Sequence, residues 1–188
     1  EFLKVGIHIG TKFRTKAMQP FIHKVRQDGL AVLDIQQINN KLQGAIDILA
    51  KYQPNEIIVS CRRENGWKAA KTFQKATGIH TYTGRYPPGI LTNTQLENFT
   101  EAKLLIVADP FPDKNAILDA KRVHTKVLAL CDTNNETDNV DYVIPCNNKG
   151  KKSLGLVFYT LAKGYLLKRG VIKEEKEFSH VLEDFFPQ

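Results

Sequence analysis

The chain has 188 residues, 42% of them apolar and 25% charged, the balance of a globular domain with one full-sized core, which excludes wholesale disorder. Lys and Arg total 27 against 20 Asp and Glu, and the net charge of +7 favours a polyanionic partner, nucleic acid or an acidic membrane. No stretch reaches the roughly 18 consecutive apolar residues of a bilayer span, and the amino end lacks the apolar run and small-residue cleavage site of a secretory signal.

Taken in chain order, Leu30-Ala-Val-Leu33 is the first short apolar run, and Asp34 follows it. Ile38, Leu42, Ala45, Ile46 and Leu49 then fall on one face of a helix. Ile57-Ile-Val59 predicts a strand, and Asn65 is placed to cap a helix carrying Ala69, Ala70 and Phe73, which Gly78 would end. Residues 82–95, with Pro87-Pro-Gly89, read as the longest helix-poor connection. Leu104-Leu-Ile-Val-Ala108 predicts a strand, Asp113 a cap for a helix with Ile117, Leu118 and Ala120, and Val127-Leu-Ala-Leu130 and Tyr142-Val-Ile144 two more strands. A long last helix holds Leu154, Val157, Phe158, Leu161, Ala162, Tyr165 and Leu166. The apolar runs are continuous rather than alternating, so both faces of the sheet are covered. Strand and helix alternate, so the sheet is mostly parallel with helices on its two faces.

One domain spanning 1–188 is expected: a basic amino-terminal arm at 1–28, an α/β core at 29–170, and an acidic, aromatic tail at 171–188. Phe178, Phe185 and Phe186 in the tail should dock on the chain's own core or on a neighbouring protein. Cys61, Cys131 and Cys146 are odd in number and widely spaced, which suits buried thiols in a reducing, intracellular compartment rather than a disulfide framework or a zinc site.

The charge is segregated. Residues 1–28 hold six basic side chains against two acidic, 61–86 six against Glu64 alone, and 149–169 six against none. Residues 132–141 hold Asp132, Glu136, Asp138 and Asp141 with no basic residue. Such a molecule has basic and acidic faces, suited to an RNA and to a basic protein.

No enzyme signature is complete. Gly6-Ile-His-Ile-Gly10 lacks the third glycine of a dinucleotide loop, and reads better as a sharp turn. Gly150-Lys-Lys-Ser153 has Pro145 where a phosphate loop needs glycine; what remains is a basic helix start that favours a phosphate as much as solvent. Asp109 and Asp132 end predicted strands, where a doubly wound enzyme would hold Mg²⁺, although such residues more often fix loop amides. A small Mg-dependent or nucleotide-binding enzyme using these two aspartates is the alternative function. The five histidines form no metal-ligand pair, so no metal or other cofactor is expected. Trp67, Tyr82 and Tyr86 lie in or beside a basic segment; Trp67 reads as core, and Tyr86, next to two prolines, as the exposed ring able to stack on a base.

Several motifs in order carry a resemblance. They are Gly6-Ile-His-Ile-Gly10-Thr11, Met18-Gln-Pro-Phe-Ile22, Arg26-Gln-Asp-Gly-Leu30 with Val32-Leu-Asp34, and Gly89-Ile-Leu-Thr-Asn93. Then come Ala108-Asp-Pro110, Asn115-Ala-Ile117, Leu130-Cys-Asp-Thr-Asn134, Asp141-Tyr-Val-Ile-Pro-Cys-Asn147 and Lys152-Ser-Leu154. From about residue 3 to 170 the chain resembles the small-subunit ribosomal protein family numbered second, in its archaeal and eukaryotic branch, whose animal member is called ribosomal protein SA or laminin-receptor precursor. The resemblance implies a flavodoxin-like three-layer α/β/α sandwich and a structural role without catalysis, the aspartates becoming loop-fixing residues. It implies binding to ribosomal RNA at the head–body junction of the small subunit, on the solvent side near the mRNA exit, beside other ribosomal proteins in the cytoplasm. Neither a membrane nor a small-molecule substrate is implied. The coiled-coil insertion of bacterial relatives has no room between the helix at 36–53 and the strand at 56–60, and without the acidic extension of the animal proteins no laminin-binding role is expected.

From charge clustering, the RNA-contacting residues are expected to be Lys12, Arg14 and Lys16 in the arm, Arg62 and Arg63 after a strand, Arg85 in the proline loop, and Lys149, Lys151 and Lys152 at the last helix start.

Overall fold

Two sheets of unequal size organise the computed structural model, which describes residues 2–186. The elements run α1 (Phe2–Val5), β1 (Ile22–Val25), β2 (Ala31–Leu33), α2 (Ile35–Leu49), β3 (Ile57–Cys61), α3 (Glu64–Thr77), β4 (His80–Thr83), β5 (Leu104–Val107), α4 (Lys114–Arg122), β6 (Lys126–Cys131), β7 (Tyr142–Pro145) and α5 (Lys151–Lys168). β4, β3, β5, β6 and β7 lie side by side in that order, every pair parallel. Counted among the sheet's own strands this is the order 2-1-3-4-5, the flavodoxin-like arrangement.

Side chains alternate across each strand, so one sheet has two cores. Ile57, Val59, Leu104, Ile106, Leu128 and Leu130 pack with the apolar stripes of α2, α3 and α5. Ile58, Leu105, Val107, Val127 and Ala129 pack instead with Ala116, Ile117 and Ala120 of α4, and with Tyr86, Ile90 and Leu91 of the long connection. α5 packs against both α2 and α3. At its crossing with α2, a Cβ on Gly164 would stand 2.3 Å from Ile46 Cδ1.

Local chemistry sets the element ends. The Asp34 carboxylate accepts a hydrogen bond from the Gln36 amide at 2.8 Å and so caps α2. Gly78 adopts φ 75° and stops α3. Asn65 lies inside α3 rather than capping it; its side chain donates to the Lys149 carbonyl at 2.7 Å.

Three strands differ from expectation, β1 among them, since no strand is expected at 22–25. β2, the first apolar run, stays out of the parallel sheet and pairs antiparallel with β1. β4 was not foreseen: His-Thr-Tyr-Thr has no apolar run, because an edge strand needs little burial, and its pattern is exposed, buried, then half-buried. The amino-terminal segment belongs to both cores, through Ile7 on the first and Met18 on the second. The tail packs on the chain's own core: Phe185 is fully buried and both Phe185 and Phe178 set their rings edge-on to Tyr159.

Candidate nucleic-acid interface

Parallel strands all end at the same edge, and this topology gathers basic segments far apart in sequence. Arg62 and Arg63 follow β3, Arg85 follows β4, and Lys149, Lys151 and Lys152 follow β7. The arm reaches the same edge by hydrogen bonds: the Thr11 and Thr15 amides donate to Thr133 Oγ1 and Thr133 O, each at 2.9 Å, and Thr15 Oγ1 donates to Asn135 O at 2.8 Å. Lys12, Arg14 and Lys16 thereby stand exposed beside the end of β6. This approach requires glycine at position 10, where a Cβ would lie 2.4 Å from Thr133 Cγ2 and 3.0 Å from the Ala31 carbonyl.

Between β3 and β5 lies the topological switch point, where doubly wound folds bind ligands. In this chain Arg63 fills it: its guanidinium Nε donates to Oδ2 of Asp109, a residue with no exposure. The other Asp109 oxygen accepts from the Phe111 amide at 3.0 Å and the Asn135 amide group at 2.9 Å. Asp132 is held likewise, Oδ1 by the Thr133 amide at 2.6 Å and Oδ2 by Lys149 Nζ at 3.0 Å. Asp113 stands at the amino-terminal cap position of α4, but its carboxylate makes no bond to the helix amides; it accepts instead from Ser60 Oγ at 2.7 Å and the Arg62 amide at 3.2 Å. Burial pushes its carboxyl above the ordinary value. Every oxygen of Asp109 and Asp132 thus has a donor from the chain itself, the loop-fixing role.

Arg63 and Lys149 therefore differ from the other seven expected contacts, since each is committed to a buried carboxylate. Lys12, Arg14, Lys16, Arg62, Arg85, Lys151 and Lys152 are exposed. Arg62 is steadied by donating to the Pro112 carbonyl at 3.2 Å. Lys151 and Lys152 open α5, 18 residues long with no acid in its first turn, so the helix dipole adds to their charge.

Beside the basic segments the exposed ring is Phe13 in the arm rather than Tyr86, and Phe111 after β5 is exposed as well. Tyr86 is 3% exposed because its loop folds back over the second face of the sheet. Trp67 is half-buried and its indole donates to the Arg62 carbonyl at 3.2 Å. Phe13 is 79% exposed between Lys12 and Arg14. An aromatic flanked by cations is the sequence signal for Phe13, whereas the expected exposure of Tyr86 is removed by the fold.

A flavodoxin-like sandwich whose strand-end carboxylates are tied to internal cations, and whose edge carries exposed ones, defines a doubly wound α/β protein with a basic strand-end edge. Comparison with known proteins makes the class specific. The family model for ribosomal protein S2 matches residues 2–98 and 96–167. The small ribosomal subunit protein uS2 of Nanoarchaeum equitans is 45% identical over 184 residues, covering 98% of this chain and 92% of the relative. Those of Picrophilus torridus and Thermoplasma acidophilum are 42% and 40% identical, covering 98% and 100% of this chain and 92% and 94% of their own lengths. The chain belongs to the ribosomal protein S2 family, which is structural and not enzymatic.

Proposed function

We propose that this protein is a structural constituent of the small ribosomal subunit that binds ribosomal RNA through the carboxyl edge of its sheet, supporting subunit assembly and translation in the cytoplasm. The observation that carries the reading is the convergence of seven exposed cations from four separate segments on one edge. In this reading the molecule acts as a single domain over 1–188: the 1–28 arm faces RNA, 29–170 is the rigid core, and the 171–188 tail braces that core. Phosphate contacts position the protein, and the shape of the folded RNA supplies most selectivity. Other ribosomal proteins are its further neighbours; no small-molecule substrate is involved. Among the described residues, no helix is long and apolar enough to cross a membrane.

The test is filter binding to small-subunit RNA across a salt series. With about six phosphates engaged, log affinity falls with log salt at a slope of roughly −4 to −5. Arg62→Glu together with Lys151→Glu and Lys152→Glu should weaken binding and flatten the slope by about 2, with the fold unchanged. Arg63 and Lys149 are left intact because both hold buried carboxylates. Unaltered affinity in the triple variant would remove this edge as the RNA surface.

A further inference from the structure

On the α4 side of the same edge lies a groove of about 580 Å³ lined by Pro110, Phe111, Ile117, Leu118 and the 134–139 loop. Phe111 is 84% exposed there and Leu118 is 38% exposed, while Ile117 forms a buried floor. The Phe111 backbone is pinned by its hydrogen bond to Asp109, and the facing loop by Asn135, which bonds Asp109, Asp132 and Asn148. The large exposed ring therefore sits on fixed backbone. Exposed Glu136 and Asp138 line the opposite wall, and among the described residues neither carboxylate has an ion-pair partner. Lys114 stands across from them on α4.

We propose that this groove docks a neighbouring protein chain of the particle, taking an apolar side chain of that chain while Lys or Arg residues beside it meet Glu136 and Asp138. The proposal extends the ribosomal reading above, from the RNA edge to a protein contact. Charge decides the occupant. Phosphates would be repelled by the two carboxylates, in a molecule whose other edge loops are basic. A second copy docking by a two-fold contact would bring the same carboxylates together. The chain's own tail is already packed against α3 and α5 and is itself acidic.

The test replaces Phe111 by a photo-crosslinking phenylalanine analogue in the full chain and assembles it into small subunits depleted of the native protein. Illumination should join position 111 to a protein segment with an apolar residue beside Lys or Arg. A crosslink to RNA, to a second copy, or none from assembled subunits would overturn the proposal. In parallel, Glu136→Lys with Asp138→Lys should reduce retention on subunits about tenfold while affinity for protein-free ribosomal RNA holds or rises; unchanged retention overturns it. Failure of the RNA-edge reading registers separately, as protein-free RNA binding indifferent to Lys151→Glu and Lys152→Glu.

Discussion

Lys149 Nζ lies 3.0 Å from Asp132 Oδ2 and 2.6 Å from Asn134 Oδ1, so a lysine two residues before the last helix neutralises a carboxylate that is 1% exposed. Asp132 in turn accepts from Thr133, the residue that receives the amino-terminal arm. The pair thus joins the core to the loop that presents Lys12, Arg14 and Lys16. Lys149→Met should destabilise the fold by about 2–3 kcal/mol, somewhat below a fully buried pair because Lys149 is a third exposed. Urea denaturation measures it, and adding Asp132→Asn should recover part of the loss; a full-sized additive loss would show the two side chains to be uncoupled.

Charge and stacking separate in the salt dependence. Phe13→Ala should weaken RNA binding about tenfold with the salt slope unchanged, because a lost base contact releases no counterions. Phe13→Trp should restore it. A flattened slope in Phe13→Ala would mean that the ring acts only by positioning Lys12 and Arg14.

Acid should loosen the amino-terminal segment. His8 Nδ1 is buried without a hydrogen-bond partner among the described residues, and desolvation holds its imidazole below the ordinary 6.5. The unfolded chain therefore takes up the proton first, and this contribution to stability, complete above pH 6.5, is lost as pH falls through the window beneath it. Lys24, Arg26 and Asp34 line the same cleft as His8. Thermal denaturation between pH 7.5 and 5.5 should show a smaller loss in His8→Gln than in the native protein. Parallel curves would place the acid sensitivity elsewhere.

The three cysteines should be silent until the fold opens. Cys61, Cys131 and Cys146 are free and fully buried, and burial with the nearby Asp113 carboxylate pushes the Cys61 thiol up to about 12. At pH 8 the Cys61 thiol is therefore held in its unreactive, protonated form. Iodoacetamide labelling followed by mass spectrometry should report no modification in native buffer and three adducts in denaturant. Rapid native labelling of Cys61 would contradict its burial.

Whatever local pattern can carry is legible in the order of the amino acids. Continuous apolar runs marked β3, β5, β6 and β7, helical spacing marked α2 and α5, and Gly78 stopped α3, because burial periodicity and backbone freedom are properties of neighbouring residues. Ordered motifs carried the family. Blocks of charge marked the basic segments that the sheet gathers at one edge, though not which side chains in them remain free. That choice belongs to the tertiary structure: Arg63 meets Asp109 across 46 positions and Lys149 meets Asp132 across 17, and nothing in either segment alone distinguishes these cations from Arg62 or Lys151. Folding likewise turned Tyr86 inward and left Phe13 and Phe111 outside, because a ring's exposure depends on which surface its loop lies against. Only the assembled parallel sheet, with its strands ending at one edge, made scattered charge into a surface.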